Sequence, residues 1–111
     1  VTIESDLPQA LSAADCREIV VGPGCIRRDA PAIAGVRSWF VEMAPGSTWP
    51  HVDHHDAGGE VVYVLEGELI EGNRRFAAGT MLIFPPNSSH QPRTEVGVRL
   101  FGFNPPASPL R

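Results

Sequence analysis

Three of the four histidines in this chain fall within five residues, at His51, His54 and His55. Glu60 follows at the head of an apolar run, Val61-Val62-Tyr63-Val64-Leu65, and His90 stands further on, after Pro85-Pro86-Asn87-Ser88-Ser89. Imidazole and carboxylate groups gathered on neighbouring strands are the ligands that a divalent transition metal needs. Other chemistries find less support. Ser88-Ser89-His90 are neighbours in sequence, but successive strand residues face opposite ways, and no Gly-x-Ser-x-Gly elbow is present. No glycine-rich loop of the phosphate-binding kind appears.

Strands must position these groups. Eleven Gly and eleven Pro punctuate the chain at short intervals, a spacing that suits many short strands and argues against long helices. The pattern predicts strands over 36–43, 49–55, 60–65, 68–71, 74–77, 80–84 and 96–103. Ala44-Pro45-Gly46-Ser47, Asp56-Ala57-Gly58-Gly59 and Gly72-Asn73 read as turns between them. Ser12 to Ile19 carries the one helical hint, where Ser12-Ala13-Ala14-Asp15 resembles a capping box. Six to eight short strands without a crossover helix predict an all-β antiparallel sandwich or barrel. Trp39, Phe40, Tyr63, Phe84, Phe101 and Phe103 are expected in its core, with one or two of them at a cavity mouth. Glu66, Glu68 and Glu71 read as an ordinary solvated hairpin.

The bulk numbers agree with one small folded unit. The 111 residues are 42% hydrophobic and 20% charged, and fit a single domain. The net charge is −4, with nine Arg and no Lys, so a nucleic-acid partner is not expected. No apolar run approaches the roughly 20 residues that span a bilayer, and a membrane partner is not expected either. Val1-Thr2-Ile3-Glu4 lacks the pattern of a signal peptide, and a cytoplasmic location is the expectation. Cys16 and Cys25 are the only cysteines and read as free thiols.

The histidine and glycine spacings resemble the two motifs of the cupin superfamily. The first motif places a Gly, His-x-His, a Glu and a second Gly in order. Here Gly46, His51-Val52-Asp53-His54-His55, Glu60 and Gly67 take those places. The second motif runs Gly, Pro-x-Gly, His, and here Gly79, Pro85-Pro86-Asn87 and His90 stand at that spacing. Asn87 replaces the usual Gly, and Asn also tolerates a left-handed backbone. The resemblance covers residues 36 to 103, and the stretch from Gly58 to Leu69 is similar to small bacterial cupins of the ChrR group.

The resemblance implies a double-stranded β-helix, or jelly roll, with residues 1–35 as N-terminal strands and arm and 104–111 as a tail. It also implies one divalent metal ion, Fe, Mn, Ni or Zn. Counting back from Glu60, the first two family histidines fall on Asp53 and His55. Residues 51, 53 and 55 share one strand face and His54 the other, where it is expected to be idle. On a straight strand, 53 and 55 lie about 6.6 Å apart and 51 and 55 about 13 Å. Two ligand sets therefore stand open. Asp53, His55, Glu60 and His90 form the first, an anionic site suited to Fe(II) or Mn(II). In the second, a bulge or bend near Pro50 brings His51 in for Asp53 and restores three histidines and one glutamate.

Family likeness implies a fold more strongly than a function. The expectation is a small metalloenzyme of dioxygenase, isomerase or polyketide-cyclase type acting on a small-molecule substrate, with Glu60 as general base if it is not a tight ligand. The alternative is a non-catalytic metal- or ligand-sensing module of the ChrR kind, which would bind Zn(II) and need a partner protein. A storage or scaffold-like cupin is a third reading. A homodimer is expected, with the segment before residue 36 covering a partner's sheet edge.

Overall fold

The computed structural model describes residues 7–107. The readings made on Val1 to Glu4 and on the end of the 104–111 tail lie outside the described residues. Among the described residues nine strands run in chain order: β1 (Arg17–Gly22), β2 (Cys25–Asp29), β3 (Ser38–Met43), β4 (Asp53–His54), β5 (Glu60–Glu71), β6 (Arg74–Ala77), β7 (Met81–Phe84), β8 (Ser89–His90) and β9 (Val98–Phe103). The Ser12 capping box exists, with Ser12 N–H and Oγ–H both donating to Asp15 Oδ2. It closes only a single 3-10 turn over Ala13–Asp15, because β-branched Ile19, Val20 and Val21 follow and pair as β1.

The larger sheet has the order β1-β2-β3-β9-β5-β6, and β7 pairs with the first half of β5. All its pairings are antiparallel. Its inner face reads off the alternation along each strand. Val41 and Met43 on β3, Val62 and Val64 on β5, and Val98 and Leu100 on β9 are buried and pack in one cluster with Cys25, Trp49 and Leu69. The alternate residues Tyr63 and Leu65 are exposed on the outer face. Tyr63 thus departs from the expected core, since it lies one residue out of phase with Val62 and Val64. Phe40 and Phe101 pair with ring centroids 5.1 Å apart on that outer face and are only partly buried.

Two predicted strands, 60–65 and 68–71, are one strand. Gly67 does not end β5 but turns it, with φ at +76° and a register shift against β9 between Val64 and Glu66. A Cβ at Gly67 would stand 1.9 Å from the Gly97 carbonyl oxygen, so no other residue fits this corner. Past it, β5 exchanges β7 for β6 and enters a second layer. There Ile70 bridges Arg93, Arg93 bridges Thr48, and the two segments continue as the β8–β4 pair.

The predicted strand over 49–55 is reduced to Asp53–His54. Pro50 and Pro92 lack the N–H that a longer ladder would use. The result is an all-β jelly roll whose hydrogen bonding stays open rather than closing into a continuous barrel. Cys16 and Cys25 are buried free thiols. Among the described residues no helix is long and apolar enough to cross a membrane.

Candidate metal centre

The β4–β8 pair sets Asp53 directly across from His90. Two residues on, the His55 N–H donates to the Ser88 carbonyl at 2.8 Å, which extends the ladder and turns the His55 side chain inward. Asn87 makes the return possible, with φ at +61° in the left-handed region expected of it. Glu60 enters from the opposite layer, where it heads β5 and pairs with Phe84 of β7.

These elements bring Asp53, His55, Glu60 and His90 together, each offering one ligand atom within 4.8 Å of the others. His90 Nε2 lies 3.4 Å from Asp53 Oδ2 and 3.8 Å from Glu60 Oε2. His55 Nδ1 lies 3.8 Å from Glu60 Oε1. Phe84 backs both imidazoles, with its ring centroid 4.9 Å from that of His55 and 4.4 Å from that of His90. His51 stands apart from the group. A bend does occur at Pro50 and His51, but the His51 ring remains exposed and meets Trp49 edge-on at 6.1 Å. His54 is exposed on the other face.

The donor set fits a divalent cation. Both ring nitrogens of His55 and Nε2 of His90 are buried without a hydrogen-bond partner among the described residues. A buried imidazole nitrogen left unpaired costs about 1–3 kcal/mol, and a metal would satisfy it. Two imidazoles and two carboxylates form the mixed nitrogen and oxygen set that such ions accept.

Residues 29–107 match the family model described as the ChrR cupin-like domain, which is most of the chain. The chain belongs to the ChrR cupin-like family. No curated protein matches it. Among solved structures, it is similar to a chain of the complex of Rhodobacter sphaeroides SigE with the anti-sigma ChrR. That match has a TM-score of 0.71 and 23% identity, and covers 81% of this chain and 50% of that one. The chain therefore spans about half the length of that relative. An RmlC-like cupin from Shewanella frigidimarina matches with a TM-score of 0.72 and 20% identity, over 93% of this chain and 95% of that one. The polyketide cyclase RemF from Streptomyces resistomycificus matches with a TM-score of 0.68 and 18% identity, over 89% and 80%. These likenesses show the cupin fold.

Electrostatics of the cupin site follow from its crowding. Burial, reinforced by the Asp53 charge, pushes the Glu60 carboxyl up to about 7. The nearby His90 imidazole, with Nε2 3.4 Å from Asp53 Oδ2, outweighs burial and holds Asp53 below the usual carboxylate range. Burial, with the charge of His90, holds His55 down and favours its neutral form. Burial pulls His90 down too, but the nearby Asp53 carboxylate, the hydrogen bond to Glu71 and the charges of Glu71 and Glu60 win, raising it to about 9. Without metal, a proton on His90 thus balances the carboxylates. A cation would displace it.

Glu71 is the site residue that sequence reasoning missed. It was expected on a solvated hairpin, yet its side chain is only 14% exposed, and His90 Nδ1–H donates to Glu71 Oε2 at 2.7 Å. The bond orients the ring and leaves Nε2 facing the cluster, as outer carboxylates do for metal-ligating histidines. The signal was period-two alternation from the buried Leu69, which marks Glu71 as inward, but it held only if β5 continued past Gly67. Glu71→Gln, which keeps the size but loses the charge, is expected to weaken metal binding by roughly 10- to 100-fold. A titration with Zn(II) against a competing chelator checks this, and unchanged affinity would remove Glu71 from the site.

Proposed function

We propose that this chain is a metal-dependent enzyme acting on a small organic substrate, with one divalent metal held by Asp53, His55, Glu60 and His90. The cavity carries this reading. It measures about 340 Å³, opens to solvent, and is lined by Asp53, Glu60 and His90 at one end and by Trp39, Met43 and Leu69 among its apolar wall. A largely apolar pocket of roughly 300 Å³ or more with a few convergent polar groups is what a small ligand needs. A purely structural metal site has no use for one.

When bound, the metal would supply Lewis-acid or dioxygen chemistry. The remaining work falls to the chain. The apolar wall would displace water from the substrate body. Glu60 reaches the cavity from the head of β5, and where it is not a tight ligand it would take a substrate proton as general base. Phe84 would keep both imidazoles in place. The reading includes a cytoplasmic location, supported by two free buried thiols. It also includes a homodimer, for which β1, the edge strand of the larger sheet among the described residues, offers a surface with Val20 exposed.

Elemental analysis of protein purified without chelator tests the proposal, combined with turnover of a panel of small carbonyl and enol compounds. The expected result is near one metal per chain and an activity lost on stripping and regained on reloading. Metal without turnover or small-molecule binding would move the assignment to a sensing module. A mass of one chain by light scattering would remove the dimer.

A further inference from the structure

Charges along the cavity wall are unevenly paired. Arg27 and Arg37 both line it. Arg27 is neutralised by Asp29, with Nε–H donating to Oδ1 at 2.7 Å and an Nη2–H to Oδ2 at 3.2 Å. No carboxylate of the described residues pairs with the Arg37 guanidinium, which is placed 5.9 Å from the centroid of the Trp39 ring. Its backbone is held from both sides by Asn104. The Arg37 N–H donates to Asn104 Oδ1 at 2.7 Å, and the Asn104 N–H donates to the Arg37 carbonyl at 3.1 Å. Trp39 itself is seated on β9 by Gly102. A Cβ there would come within 2.7 Å of the indole Nε1, so the ring lies against bare backbone. A cation thus sits on an aromatic face, on a fixed stretch of chain, at the wall of the candidate active-site cavity.

The metal centre cannot supply that charge's counterpart. Glu60 feels the Arg37 charge without pairing with it, a bound divalent ion would be balanced by Asp53 and Glu60, and the Glu71 carboxylate is already engaged by His90. By net charge alone, that end therefore does not draw an anion. The unpaired positive charge is at Arg37.

We infer that Arg37 recognises the carboxylate of the substrate, and that the substrate class is small organic acids with a flat or apolar body. The body lies along the apolar wall, the carboxylate is bound by the guanidinium, and the Trp39 face limits where that guanidinium can point. This inference rests on the cavity's being a substrate site, though not on the metal. Arg37 is a recognition residue rather than a catalytic one.

Trp39 and Trp49 are the only tryptophans, and both line the cavity, so intrinsic fluorescence reads its occupancy. The experiment titrates Zn(II)-loaded and metal-free protein with benzoate and with benzamide, which share a shape and differ in charge. The expected result is tighter binding of benzoate in both forms. Arg37→Gln should weaken benzoate by about tenfold and leave benzamide nearly unchanged. Arg37→Lys should keep part of the preference. Equal binding of the two probes by the wild-type protein, binding of neither, or a benzoate preference that survives Arg37→Gln would each overturn the inference. A preference seen only with Zn(II) and indifferent to Arg37 would place the carboxylate on the metal instead. Metal content measured on the same samples separates the two claims. One zinc per chain without anion preference sinks only the Arg37 assignment. Arg37-dependent benzoate binding without metal uptake sinks only the metalloenzyme.

Discussion

Replacing His90 with Ala is expected to abolish stable metal binding, lowering affinity by more than about 100-fold, beyond what loss of an outer partner costs. His90 reaches the other site residues from β8, and no described residue stands where its Nε2 could be replaced. The substitution also strips Glu71 of its hydrogen-bond donor and leaves a mostly buried carboxylate unpaired. His90→Gln separates the two effects, because an amide can still donate to Glu71 but is a poor ligand for these ions. Elemental analysis and a chelator competition on both variants decide the matter. A variant that is folded and holds one metal per chain would end the site proposed here.

The second large effect distinguishes Asp53 from His51. Asp53→Ala is expected to lose most of its metal, and His51→Ala to keep near one per chain. Asp53 is paired across the ladder with His90, and its Oδ2 stands 3.4 Å from His90 Nε2. The His51 ring is exposed against Trp49, outside the group of four. Asp53→His should hold metal again, since it provides three imidazoles and one carboxylate at the same place, with preference moved toward Ni and Zn. Metal retained in Asp53→Ala and lost in His51→Ala would reverse the assignment.

Much of the architecture was legible in the chain itself, because its signals are local. Gly and Pro punctuation marked the turns, whereas the unbroken apolar run at the start of β5 hid which face was inner, so Tyr63 was expected in the core. Asn87 could be read as a left-handed turn residue because few residues with a side chain tolerate that backbone, and the observed φ of +61° is the same statement in structure. The outward direction of His54 followed from strand geometry alone.

Three things depended on contacts between distant segments. Whether the bend at Pro50 carried His51 inward was decided by Trp49, whose burial in the core leaves the following ring at the cavity rim. The pairing of Glu71 with His90 required β5 to run through Gly67 and change sheets, a turn set by the approach of the Gly97 backbone from the loop before β9. The place of Arg37 over Trp39 required β3 to pair with β9 so that Gly102 lay beneath the indole. Residue types and spacing determined which groups could bind a metal and which strands would carry them. Tertiary structure alone decided which carboxylate stands behind His90 and where the cavity keeps its one cation without a partner among the described residues, since both arise from register between strands far apart in sequence.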